Sequence, residues 1–297
     1  MNRIASNSLN RSILAANQDS LRRLAGLQQQ LATNKRINKP SDDPVGIRQS
    51  LRLRAESLKS ADYQANIAAS TGFLATADSA FAGMTSLLQE VKGLAVQGGN
   101  DTLDASARAA LGSAVDHALK RLVDLGNSQH DGRYVFAGAA TTTKPFALTA
   151  AGTGVDYLGA QEDFSIQISP ASTATVSQVG SALFQQPNDM FQALIGLRDA
   201  LNADDGPAVR ASIADVDAAH AQVAAHFGEL GGRVQRLEMT QNQLVEVRAN
   251  LDELVSRIED ADLPDVIARF QSGQVALQAG LQAGAKVMQP TLLDYLR

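Results

Sequence analysis

From Ile213 to Ile258, apolar side chains recur at alternating steps of three and four. The seam reads Ile213, Val216, His220, Val223, Phe227, Leu230, Val234, Leu237, Gln241, Leu244, Arg248, Leu251, Val255 and Ile258, apolar at eleven of fourteen positions. A heptad seam kept for so long fits a coiled coil better than the surface helix of a globular domain. At 1.5 Å of rise per residue, a helix over 209–258 would be about 75 Å long. Gly231-Gly232 interrupts the pattern and suggests a kink or a close backbone contact.

Other segments repeat the theme. Ile67, Leu74, Ala77, Phe81, Met84, Leu88, Val91 and Ala95 form a second seam, opened by Pro44 and closed by Gly98-Gly99-Asn100. Leu111, Val115, Leu119 and Leu122 share one face of a helix starting at Asp104. Near the start, Leu14, Leu21, Leu24 and Leu31 make a stripe. Near the end, Leu263, Ile267, Phe270, Gln274, Leu277, Leu281, Gly284 and Met288 make another. Each terminal stripe is thin, and an isolated helix of this length is marginal in water. The ends are therefore expected to fold only against each other or against neighbours.

The helical period lapses over 133–183. Arg133-Tyr134-Val135-Phe136 favours β structure, and Asp163 to Ile168 alternates with period two before Ser169-Pro170. Asn188-Asp189 then caps a helix carrying Phe191, Leu194, Ile195, Leu197 and Leu201. The expected class is mainly α: a nested rod of long coiled-coil helices with a small β-rich insert. The expected division has residues 1–40 and 259–297 as terminal helices, 41–131 and 187–258 as a long-helix bundle, and 132–186 as the inserted outer domain.

Composition agrees. Only 4% of residues are aromatic and there is no Trp, a mixture suited to long Ala/Leu-seamed helices. The formal net charge of −5 argues against a nucleic-acid partner. Residues 1–60 carry 11 Lys and Arg against 4 Asp and Glu, whereas 61–297 carry 15 against 27. That asymmetry suits either head-to-body pairing between subunits or ordinary solvated faces. The chain has no cysteine, which excludes disulfides, thiolate catalysis and Cys-ligated zinc. No run approaches 18 apolar residues, and the Arg- and Ser-rich start lacks the apolar stretch of a cleaved secretory signal. A mitochondrial transit peptide shares that composition, but the segment continues unbroken into a helical pattern.

Residues of the types that carry chemistry have structural readings. Asp42-Asp43 could be a carboxylate pair, but an Asp before Pro44 suits an N-cap followed by proline in the first turn. Glu259-Asp260-Ala261-Asp262-Leu263-Pro264-Asp265 suggests calcium, yet it lacks the glycine and terminal Glu of an EF-hand loop. A helix break recapped at Asp262, with Pro264 in the first turn, accounts for it. His117, His130, His220 and His226 form no HExxH pair. His220 lies on the long seam, where a polar residue can set register or, less simply, hold a metal. No GxSxG, GxGxxG or GxxxxGK[ST] motif is present, and no cofactor is implied. An enzyme with its site in the β insert, a membrane-surface role for residues 1–31 and a virulence-secretion tip protein are weaker alternatives.

The break between the first two helical patterns carries a resemblance. KRINKPSDDPVGIRQSLRLRAE at 35–56 resembles the N-terminal signature of the bacterial flagellin superfamily. Its proline-bracketed form, with Pro40 and Pro44 around Ser41-Asp42-Asp43, resembles the superfamily's hook-associated, hook–filament junction branch. GRYVFAGAATTTKPF at 132–146, ELGGRVQRLE at 229–238, SRIEDADLPDVI at 256–267 and the ending GAKVMQPTLLDYLR are similar to later family segments. Gly46 and the overall length are also those of a short flagellin.

This resemblance implies a secreted structural subunit of the flagellum, not an enzyme, exported by the type III apparatus without a cleaved signal peptide. It would sit at the hook–filament junction as the platform for flagellin polymerisation, or, alternatively, form the filament itself as a short flagellin. Implied partners are further copies of itself in a helical or ring lattice, a neighbouring hook-associated protein, flagellin, and a cytosolic chaperone for the C-terminal region. The expected assembly seam is Leu14, Leu21, Leu24, Leu31, Ile267, Phe270, Leu277, Leu281, Leu292 and Leu293. The expected hinge and caps are Pro40, Asp42, Asp43, Pro44, Asp262 and Pro264, with the two chain breaks side by side.

Overall fold

The computed structural model describes residues 2–288, with side chains from 11 to 286. Three helices come first: α1 (Asn2–Thr33), α2 (Pro44–Gly98) and α3 (Ala105–Gly126). Three short antiparallel pairs follow. They are β1 (Gln129–His130) with β2 (Arg133–Tyr134), β3 (Phe146–Leu148) with β4 (Val155–Tyr157), and β5 (Ser165–Ser169) with β6 (Ser172–Thr175). Then come α4 (Gly180–Phe184), α5 (Met190–Asn202), α6 (Gly206–Glu259) and α7 (Leu263–Met288). The fold is mainly α with small β pairs, as the periodicities indicate.

The chain divides into two units. One comprises Met1–Lys59 with Val247–Arg297, and the other Ser60–Glu246. Helices α2 and α6 contribute to both.

The central unit, 60–246, has a continuous apolar core. The α2 seam supplies Leu74, Ala77, Phe81, Met84, Leu88, Val91 and Ala95, all fully buried. Val115, Leu119 and Leu122 come from α3, Phe191, Leu194, Leu197 and Leu201 from α5, and Val209, Val216, Val223, Leu230 and Leu237 from α6. An aromatic chain joins these helices to the β segment. Phe81 meets Phe136 edge-on with centroids 5.8 Å apart, Phe136 meets Phe184 at 5.5 Å, and Phe184 stacks on Phe191 at 5.4 Å. The strands thus share the helices' core; two-stranded pairs of two to five residues are too small to hold one alone.

Polar side chains close the ends of the elements. Arg108, nearly buried, donates to the carbonyls of Gly98 and Asn100 at 3.0 and 2.9 Å and pairs with Asp204. It satisfies carbonyls left open where α2 ends and places positive charge at that helix's negative pole. Asp104 and Asp189 cap α3 and α5, accepting from the amides of Ala107 (2.7 Å) and Gln192 (3.0 Å). The β1–β2 turn, Asp131-Gly132, has φ of 48° and 75°, the left-handed pair that a two-residue hairpin requires.

One sequence expectation is corrected. Helix α6 continues through Gly231-Gly232, and nothing lies within 4 Å of where a Cβ would stand at either residue. The pair is not a close backbone contact. A 54-residue helix packed along its seam absorbs the modest propensity cost of two glycines. Nothing in the structure explains why both are glycine.

Candidate assembly interface

The terminal unit, residues 1–59 and 247–297, contains both chain breaks, and they are bonded to each other. After α1, Asn34 adopts φ of 58° and its carbonyl accepts from the Ala261 amide at 3.1 Å. The amides of Arg36 and Ile37 donate to the Glu259 carbonyl at 2.6 and 3.4 Å. The Arg36 guanidinium donates to the Ile258 carbonyl at 2.7 Å and reaches Asp43 at 3.3 Å.

The two aspartates have different tasks. Asp42 Oδ2 accepts from the amides of Asn38 (3.0 Å) and Lys39 (2.9 Å), so it holds the turn around Pro40 and caps no helix. Asp43 is the cap: its Oδ1 accepts from Val45 (3.2 Å) and Gly46 (2.8 Å), and Pro44 opens α2. Those backbone amides, led by Gly46, keep the Asp43 carboxyl below its usual pKa. Across the second break, Asp262 accepts from the Asp265 amide at 3.4 Å, its carbonyl accepts from Val266 at 2.9 Å, and Pro264 lies in the first turn of α7. Gly46 has a steric reason. A Cβ there would stand 2.9 Å from Cδ1 of buried Ile37, which seals the break.

Sequence reasoning missed the centre of this arrangement. Glu259 looked like one member of an acidic run. Its side chain is buried, and it pairs with Lys35, accepts from Ser50 and takes a forked contact from Arg54 at 3.0 and 2.6 Å. These partners, Arg54 foremost, outweigh the desolvation that opposes them and hold the carboxyl at a pKa of about 2, against an ordinary 4.5. The available signal was the cluster of cations at 35, 36 and 54 facing a chain that is otherwise acidic.

Beyond the breaks, α1 and α7 pack as a pair. Gly273 and Gly284 of α7 allow close approach: a Cβ would stand 3.0 Å from Cδ2 of Leu24 and 3.1 Å from Cγ2 of Ile13. Leu24, Leu27 and Leu31 of α1 and Phe270 and Leu277 of α7 are half-buried. The four leucines read as one α1 stripe are not one inward face. Leu14 and Leu21 are 56% and 54% exposed, because a strip this narrow admits one row of side chains from a helix turning 100° per residue. Ile267 and Leu281 are exposed likewise, at 45% and 54%. Leu292 and Leu293 lie outside the described residues. Between the helices runs a groove of about 560 Å³, lined by Arg23, Leu24, Leu27, Arg269, Gly273 and Ala276 among others.

The remaining candidates stay apart. His130, at the end of β1, contacts Thr76 of α2 at 3.1 Å, and His226 lies 3.4 Å from Glu229. His220 is half-buried on α6, and its Nε2 has no hydrogen-bond partner among the described residues. Among those residues no cluster of three or more His, Asp or Glu could hold a metal, and no helix is long and apolar enough to cross a membrane.

Two family models match this chain. The bacterial flagellin N-terminal helical region covers residues 2–141, and the flagellin C-terminal helical region covers 213–296. This chain belongs to the bacterial flagellin family. Among curated relatives, flagellar hook-associated protein 3 of Salmonella typhimurium is 29% identical over 53% of this chain and 49% of its own length. That match spans about half of the relative. The Escherichia coli protein of the same name is 24% identical over 79% of this chain and 74% of its own. A flagellin of Bacillus subtilis is 27% identical over 91% of each. Among solved structures, the flagellar junction protein FlgL of Legionella pneumophila covers 70% of this chain and 100% of its own, with a TM-score of 0.59 at 14% identity. That likeness is one of fold.

Proposed function

We propose that this flagellin-family chain is the structural subunit that joins the flagellar hook to the filament, outside the cell. The carrying observation is a helix pair that half-buries one set of large apolar side chains and leaves others exposed. Leu14, Leu21, Ile267 and Leu281 stand in water in a lone molecule, and a repeating neighbour would cover them. The polymerising seam is Leu14, Leu21, Leu24, Leu31, Ile267, Phe270, Leu277 and Leu281, continued by Leu292 and Leu293. Pro40, Asp42, Asp43, Pro44, Asp262 and Pro264 turn and recap the chain at its base. Relatives named hook-associated protein 3 support the junction position.

On this reading the chain catalyses nothing. It associates with copies of itself, with a hook-associated protein on the hook side and with flagellin on the filament side. It leaves the cell unfolded, without a cleaved signal, with a chaperone on its C-terminal region; the lack of cysteine suits that route. The second reading, a short filament flagellin, is favoured by one observation: the Bacillus subtilis flagellin matches nearly end to end.

Deletion in the host, with electron microscopy of the cells and blotting of the medium for flagellin, separates the two. The junction role gives hooks without filaments and intact flagellin in the medium. Filaments that persist, or that vanish with no flagellin shed, contradict it.

A further inference from the structure

The node around Glu259 does more than end a helix. One residue gathers three segments that are distant in sequence. Its carbonyl takes the Arg36 and Ile37 amides of the strand leaving α1. Its carboxylate takes Lys35 of that same strand, together with Ser50 and Arg54 on the second and third turns of α2. Directly after it, Asp260 bridges Lys35, and Ala261 bonds Asn34, where the chain turns into α7. The departure of α1 and the return of α7 are thus both fixed within two residues of one buried carboxylate. Nearby buried apolar groups are few: Ile37, Leu53, Val255 and Val266 are the buried large ones among the described residues of this unit. Apolar packing there is too thin to set a direction, and a hydrogen-bonded charge cluster can specify one.

We infer that Glu259 is the positioning residue for assembly, aiming the α1–α7 pair so that its exposed apolar residues meet the neighbouring subunit. This rests on the junction reading. A half-turn error at the base of a helix pair would swing Leu14 and Leu281, several turns away, off any lattice contact, although both helices still formed.

The test uses the full chain with Glu259→Gln, which keeps the shape and removes the charge. Amide exchange at Arg36, Ile37 and Ala261 should quicken by roughly tenfold to a hundredfold, as expected when a buried charge pair with half-exposed partners is broken. Amides of 60–246 should exchange at the wild-type rate, which a general loss of stability would not allow. In a host lacking the wild-type gene, the variant should be secreted normally yet leave most hooks bare. Arg54→Gln, which spares Glu259, is the second variant if the first does not fold, and it should quicken the same amides to a smaller degree. Unchanged exchange at those amides in both variants overturns the proposal, and so do filaments at wild-type number on secreted Glu259→Gln. If the deletion strain itself keeps its filaments, the junction reading fails instead, and the exchange data still decide whether Glu259 sets the local geometry.

Discussion

The two units of this chain are both helical, and they are stabilised in different ways. The central unit buries whole seams from four helices and packs its phenylalanines in a chain. The terminal unit buries a handful of large apolar side chains and relies on caps, a carboxylate node and one half-covered helix pair. The difference shows that helix content says little about self-sufficiency. A helix is stable where a face of it is covered, and on the proposed reading the cover that the terminal unit lacks comes from a neighbouring subunit.

The strongest way to break this comparison is to attack the richer core. Phe81→Ala removes a fully buried ring that touches both Phe136 and Phe227. It should cost about 3–5 kcal/mol in denaturant unfolding of the central unit. A loss under about 1 kcal/mol would mean that this core is no tighter than the terminal pair.

Acid sharpens the contrast next. The folded-state pKa of Glu259 is depressed from 4.5 to about 2, so its contribution is complete above 4.5 and disappears as pH falls from about 4.5 to about 2. Asp189 in the central unit moves the other way, raised by burial, so acid does not withdraw stability there through its cap. The amide signals of Arg36 and Ile37 should therefore lose protection in that window before those of α5 do. Simultaneous loss would refute the separation.

Gly46→Ala opposes two principles in one residue. Helix propensity alone forecasts a gain of up to about 1 kcal/mol. The contact with Ile37 and the Asp43 cap forecasts a net loss, because a methyl has no room there. Thermal unfolding of the terminal unit decides the sign.

Much of this was legible in the sequence, and the reasons differ by region. The central seams were readable because a buried helix face repeats every three or four residues whatever it packs on, as Leu74 to Ala95 and Val216 to Leu237 do. The caps at Asp43, Asp104, Asp189 and Asp262 were readable because capping chemistry is local. Glu259 and Arg108 were not, since their partners lie up to 224 residues away and no local pattern marks them. Which leucines of α1 face α7 was not legible for a related reason. Leucines at 14, 21, 24 and 31 form one stripe by spacing, yet Leu24 and Leu31 are half-buried while Leu14 and Leu21 are exposed, a split that depends on the distant α7 packed alongside.

The smallest effect on the lone molecule carries the largest consequence for assembly. Leu281→Asp alters a side chain that is more than half exposed, so unfolding of the monomer should change by less than about 0.5 kcal/mol. Incorporation at the hook end, scored by filament counts, should be lost. Normal incorporation would remove Leu281 from the seam.

The measurement that bears most directly on the whole account is amide exchange on the full chain, once as a dilute monomer and once in its assembled form. Amides over 60–246 should be slow in both. Those over 11–33 and 263–286 should exchange quickly in the monomer and become slow on assembly. Terminal helices already protected in the dilute monomer would contradict the claim that this unit is completed by its neighbours.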